Sequence, residues 1–164
     1  MRIAIAALDL GVAILFLARG AALVHAQPLD VLATLPSIVV GALAVQLAPP
    51  TWPRASELGF ALGAALAIVA LATLGRSFAI LPARRALVSR GPYAWLRHPA
   101  YASELAMTVA AGAAIAWWAA LAIGALTLVT LVPRIAREER VLAGDPGWRE
   151  YASRVRFRVI PGIW

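Results

Sequence analysis

The chain has 164 residues, 62% of them hydrophobic and only 14% charged, with a formal net charge of +7 and a mean hydropathy of +0.81. Soluble domains carry roughly 25% charged residues, so the composition excludes a water-soluble globule and leaves no room for a sizeable soluble domain between the apolar runs. The absence of cysteine excludes disulfides, thiolate zinc sites, iron–sulfur clusters and a cysteine nucleophile.

All fifteen basic side chains are Arg. Their excess reads as the positive-inside bias of an integral membrane protein and gives no argument for nucleic acid. A span needs roughly 20 apolar residues. Residues 3–24 are expected to form the first, carrying Asp9 and Arg19. Asp9 interrupts the apolar run and no small-residue cleavage site stands out, so this stretch is taken as a retained span and not a signal peptide. Residues 30–48 form the second. "APPTWPRASE", 48–57, is a turn, because three prolines stop the helix and Trp52 and Arg54 suit an interface. Residues 57–75 form the third span.

A polar segment over 76–101 follows, with Arg76, Arg84, Arg85, Arg90 and Arg97. From Leu105 to Pro133 there is no charge over 29 residues, about 44 Å of helix at ~1.5 Å per residue. One span needs only ~30 Å. Residues 100–142, with the flanking turns, hold two spans reversing near Gly112–Trp118. Charge parity favours this hairpin, since one long span would place the Arg clusters before and after it on opposite faces. The expectation is an all-α integral membrane bundle of about five transmembrane helices, one domain over 1–164. Its N-terminus is expected outside, and its C-terminal segment in the cytoplasm.

The hairpin brings 76–101 beside 134–161, at one mouth of the bundle. "RGPYAWLRHPAYASE", 90–104, is stiff: Gly91-Pro92 turns the chain, and Pro99 disfavours helix at His98 and can begin the next one. Tyr93, Trp95 and Tyr101 are amphipathic aromatics. As a plain reading the stretch is an interfacial belt with a basic loop. In "PRIAREERVLAGDPGWREY", Arg134 and Glu138 are i, i+4 and share a helix face, whereas Glu139 is turned about 100° away. Arg137 and Arg140 fit a solvated helix end. Glu104 is expected to cap its helix through the dipole in preference to lining a pocket. His25 and His98 lie far apart with no partner of metal-ligand spacing, so no metal site is expected. No dinucleotide, Walker or nucleophile-elbow motif is present.

"RALVSRGPYAWLRHPAYASE" followed by "PRIAREERVLAGDPGWREYASRVRFRVIPGI" resembles the isoprenylcysteine carboxyl methyltransferase family of membrane enzymes, over roughly residues 75–164. The R-H-P-x-Y piece alone is shared with phospholipid N-methyltransferases and membrane sterol reductases; its combination with R-x-x-x-E-E-x-x-L in order is more specific. The resemblance implies a bundle that binds S-adenosylmethionine in a non-Rossmann pocket on the cytoplasmic side and releases S-adenosylhomocysteine. By residue, it implies that Arg85, Ala86, Leu87 and Val88 line the cofactor through backbone and apolar contacts. Tyr93, His98, Pro99, Ala100 and Tyr101 would hold it as well. Glu138 would meet its ammonium group, and Arg134 would face the methyl acceptor, so that Arg134 and Glu138 form the catalytic pair. The aromatic faces of Tyr93 and Tyr101 suit a sulfonium. The acceptor is expected to be lipid-like or prenylated, entering from the bilayer, with a carboxylate oxygen as its nucleophile. The alternatives are an amine headgroup, an NADPH-dependent sterol-type reductase, or a non-catalytic subunit that kept the fold.

Overall fold

The computed structural model describes residues 28–77 and 87–164, together with helical positions 10, 11, 13, 14 and 17. Apart from those five positions, the first span expected over 3–24, with Asp9 and Arg19, lies outside the described residues. So do Arg84, Arg85, Ala86 and His25.

The described chain is helical, with no strand: α1 Pro28–Leu47, α2 Arg54–Leu74, α3 Pro99–Ile115, α4 Trp117–Leu142 and α5 Trp148–Arg154, with short 3₁₀ turns at Gly75–Ser77 and Gly91–Ala94. Local chemistry sets the boundaries. Pro28 and Pro99 open α1 and α3, where a missing N–H costs nothing. Gly75 ends α2 with a φ of 50°, and Gly91 turns the chain with a φ of 58°, packed against Thr73 at the end of α2. Pro36 and Pro133 sit inside α1 and α4, as spanning helices tolerate.

Helices α1, α2 and α4 are long and apolar enough to cross a bilayer. Helix α3, at 17 residues, covers about 26 Å at ~1.5 Å per residue. It is the short arm of the expected hairpin, which reverses at Ala116 alone, inside the expected Gly112–Trp118 window. Ala116 is fully extended (φ −168°, ψ 160°), a conformation open to any residue.

So tight a reversal presses two backbones together. A Cβ on Gly112 would lie 2.8 Å from the Ala119 carbonyl oxygen and from Ala120 Cα, and one on Gly124 would lie 2.9 Å from Val109. The Thr108 and Thr127 hydroxyls, both buried, meet at 3.0 Å across the hairpin. The buried positions elsewhere are largely alanines, such as Ala64, Ala67, Ala110 and Ala111, while Leu32, Leu62, Leu121 and Val129 point outward. In lipid there is little to gain from burying Leu between helices; close approach through small residues does the packing. Gly112→Val is therefore expected to lower stability by about 2 kcal/mol, seen as an earlier thermal unfolding midpoint in detergent. Gly11→Val is the comparison, since among the described residues nothing lies within 4 Å of a Cβ there.

Helices consecutive in the chain run antiparallel. Asp30, at the start of α1, meets Arg137 near the end of α4, and Tyr101, at the start of α3, lies under Arg134. One end of the bundle thus gathers the starts of α1 and α3 and the ends of α2 and α4. The polar residues collect there.

Candidate functional site

Pro99 fixes where α3 begins, which leaves Arg97 and His98 in a short non-helical lead, His98 having φ −130° and ψ 62°. Their N–H groups are bound by the C-terminal segment: Arg97 donates to the Phe157 carbonyl and His98 to the Arg158 carbonyl, both at 2.9 Å. Helix α4 continues past its apolar run and carries Arg134, Glu138 and Glu139 into the same space.

Tyr101, in the first turn of α3, is the meeting point of the two expected stretches. Its hydroxyl donates to Glu138 Oε2 at 2.5 Å. Its ring stacks on His98 at 5.4 Å between centroids, with 12° between planes. The Arg134 guanidinium carbon stands 4.6 Å from the same ring centre. So Arg134 and Glu138 do share a face, and that face is turned to Tyr101. A ring engaged by both an imidazole and a guanidinium is not an open face for a further cation.

His98 is 3% exposed and stands between two carboxylates. Nε2 is 3.2 Å from Glu139 Oε1, and Nδ1 is 3.7 Å from Glu138 Oε2. The Glu139 carboxylate also takes Arg97 Nη1 at 2.9 Å and a forked pair of bonds from Arg158, with Nε at 3.1 Å and Nη2 at 3.0 Å. Glu139 is therefore the hub of an ion network, a position that periodicity alone did not reveal.

Arg134, 8% exposed, donates from Nη1 to Ser37 Oγ at 2.8 Å and to Glu104 Oε2 at 3.1 Å. This corrects two expectations. Glu104 does not cap α3: its carboxylate pairs with Arg134, because position 104 is more than a turn inside the helix and faces α4. Arg137 is not simply a solvated helix end, since it pairs with buried Asp30 at 3.6 Å; Arg140 is exposed, as expected. Helix α1 is thus part of the site wall. Asp30, Thr34 and Ser37, all buried, follow the i, i+4, i+7 spacing of one helix face. That polar stripe on an apolar helix was the one available signal for them. Ser37→Ala is expected to lower stability by about 2 kcal/mol, the scale of a hydrogen bond to a charged group. Thermal unfolding in detergent measures it, and Ser37→Thr should recover part of the loss.

The remaining expected residues divide. Pro99 is fully buried, and Ala100 accepts the Ser103 hydroxyl through its carbonyl at 2.6 Å. Tyr93 is buried in the Gly91–Ala94 turn, and its carbonyl accepts the Tyr151 hydroxyl at 2.9 Å. Burial pushes the Tyr93 phenol well up, and the nearby Glu138 charge adds to the rise. Burial likewise raises Tyr151 to about 12, against the pull of Arg97 and Arg154. Both phenols stay neutral, and that of Tyr151 donates. Leu87 packs on the core of Trp148, Tyr151 and Val155, and Val88 is half-buried beside it in the chain. Trp148, to which the sequence assigned no role, is a core residue of this cluster. Among the described residues no group of three or more His, Asp or Glu converges as a metal site.

Fold and site together define a multi-pass helical membrane protein with a buried, charged cluster at one end of the bundle. The model of the isoprenylcysteine carboxyl methyltransferase (ICMT) family matches residues 57–144, more than half of the chain. The chain belongs to that family. The match starts within α2, earlier than the motifs at 75–164 suggested, and stops before α5. The structure of the eukaryotic intramembrane Ras methyltransferase ICMT, without a monobody, superposes with a TM-score of 0.56 at 24% identity. It covers 86% of this chain and 55% of its own, so the chain spans little over half the length of that relative. At this identity the likeness speaks for the fold. No curated protein matches the chain.

Proposed function

We propose that the chain transfers a methyl group from S-adenosylmethionine to a lipophilic acceptor that reaches the site from the bilayer. The observation that carries this reading is the convergence on Tyr101 of Glu138, at its hydroxyl, and of Arg134, over its ring. The residues suit the cofactor. Glu138 is one-third exposed, and Oε1 makes no bond among the described residues, so a carboxylate oxygen is left for an ammonium group. Tyr93, buried beside that charge, supplies an aromatic wall; Tyr101 acts through its hydroxyl on Glu138 and not through an open ring face. When bound, the sulfonium supplies the methyl, its bonding pair returning to sulfur as the new bond forms.

What this chain must contribute is alignment and exclusion of water. Glu138 anchors one end of the cofactor. Arg134, fixed by Ser37 and Glu104, orients the acceptor, and a carboxylate oxygen so held needs no general base. Glu104 favours a second reading: its carboxylate already offsets Arg134, and it would sit well beside an amine headgroup. The Arg-rich mouth, with Arg97, Arg137, Arg140 and the arginines of 149–158, supports a site on the cytoplasmic side.

Calorimetric binding of S-adenosylhomocysteine to detergent-purified protein tests the cofactor, with micromolar binding expected. NADPH binding in its place would replace this reading with a reductase. Transfer of labelled methyl to membrane lipid extracts then separates the acceptors: an ester releases volatile methanol in base, whereas a methylated amine does not.

A further inference from the structure

We propose that Glu139 is a positioning residue for the cofactor site. It holds His98 in the tautomer protonated at Nε2, so that Nδ1 stands beside Glu138 as a second acceptor for the ligand's ammonium. This inference rests on reading the site as one for S-adenosylmethionine.

The geometry points this way step by step. A neutral imidazole donates from one nitrogen and accepts at the other, and the partner of the first decides which. His98 Nε2 has a carboxylate at 3.2 Å, within hydrogen-bond reach; Nδ1 has one at 3.7 Å, beyond it. The proton therefore belongs on Nε2, toward Glu139. Glu139 is itself held by Arg97 at 2.9 Å and by the Arg158 fork. Two guanidiniums offset its charge, so it acts on His98 as an oriented acceptor.

On the other side, Glu138 Oε2 is occupied by the Tyr101 hydroxyl. Glu138 Oε1 and His98 Nδ1 remain, on the same side of the imidazole. An ammonium group has three N–H donors and needs more than one acceptor. Glu138 and His98 supply two of different kinds. The charged and titratable groups facing the imidazole are Arg97, Glu138, Glu139 and Arg158, with the Tyr101 ring stacked on it.

The same network ties the site to the C-terminal segment. The Arg156 carbonyl accepts Arg97 Nη2 at 3.2 Å, and the Phe157 and Arg158 carbonyls take the N–H groups of Arg97 and His98. Val159 is buried against Leu131 and Ile135. The segment is a strap across the mouth, and Glu139 is its buckle. Such partners of binding groups change affinity roughly 10–100-fold in metal sites; the lower end of that range is expected here.

The test uses full-length protein carrying His25→Gln, which leaves His98 as the single ¹⁵N-labelled histidine. NMR of the ring nitrogens should show Nε2 protonated and Nδ1 bare. Glu139→Ala should mix the tautomers, while Glu139→Gln, which keeps an acceptor oxygen, should preserve the wild-type one. In parallel, Glu139→Ala should weaken S-adenosylhomocysteine about tenfold, yet weaken an analogue lacking the amino group hardly at all. A merely structural role for Glu139 would lower both affinities alike and would overturn the proposal. An unchanged tautomer in Glu139→Ala would also overturn it. If wild-type protein binds no S-adenosylhomocysteine, the cofactor reading and the ammonium role fall together. The tautomer comparison then still decides whether Glu139 positions His98.

Discussion

Glu138→Ala is expected to weaken S-adenosylhomocysteine binding at least a hundredfold, about 2.8 kcal/mol at ~1.4 kcal/mol per factor of ten. The size follows from what is lost. A hydrogen bond to a charged group is worth ~1.5–3 kcal/mol, and a desolvated charge left without its partner costs more. On the proposed reading the ligand's ammonium would lose a carboxylate partner, and the Tyr101 hydroxyl would lose its acceptor at 2.5 Å. Fold stability should move less, because the Glu138 side chain is one-third exposed and its ion pairs are screened. Calorimetry on the variant and wild type measures the effect. Binding within threefold of wild type would mean that the cofactor's ammonium lies elsewhere.

Arg134→Ala is expected to have the opposite profile: cofactor affinity within a few-fold of wild type, and methyl transfer reduced at least a hundredfold. Arg134 touches Tyr101, Ser37 and Glu104, the acceptor side of the proposed site. On the proposed reading, removing it strips the acceptor side and leaves Glu138 to anchor the ammonium. It also leaves the Glu104 carboxylate, 20% exposed, without its cation; breaking a buried pair costs about 3–5 kcal/mol. A fall in activity could then be read as a fall in stability. Arg134→Ala/Glu104→Ala separates the two, since removing both charges should return the unfolding midpoint toward wild type while turnover stays low. Recovery of turnover in the double variant would show that Arg134 acts only by neutralising Glu104.

Much of the architecture could be read from local pattern. The 29 uncharged residues from Leu105 to Pro133 are too long for one span, and the charge bias at both ends asks for a hairpin. A reversal within Gly112–Trp118 follows from those two facts, and the structure puts it at Ala116. The i, i+4 spacing of Arg134 and Glu138 placed them on one face, and Pro99 marked the start of α3. The family too was legible, because its motifs are short, ordered and local.

Other features had no local signature. Helical period gives the face on which a residue lies; it does not give the neighbour across from that face. Glu104 looked like a helix-dipole residue because its partner, Arg134, comes from another helix. Glu139 looked idle because it is turned from Arg134. Its partners, Arg97 and Arg158, come from the lead into α3 and from a segment beyond α5.

By itself the sequence determined the class of protein, its hairpin, the end of the bundle that is polar, and the shared face of Arg134 and Glu138. These rest on hydrophobicity, charge bias and period, which add up along the chain. Only the tertiary structure decided that α1 completes the site through Ser37, that Glu104 neutralises Arg134, and that one carboxylate, Glu139, joins His98 to the C-terminal strap. Those pairings depend on how four helices pack at one end of a bundle. Small residues such as Gly112 and Gly124 set that packing by how closely they let the backbones approach.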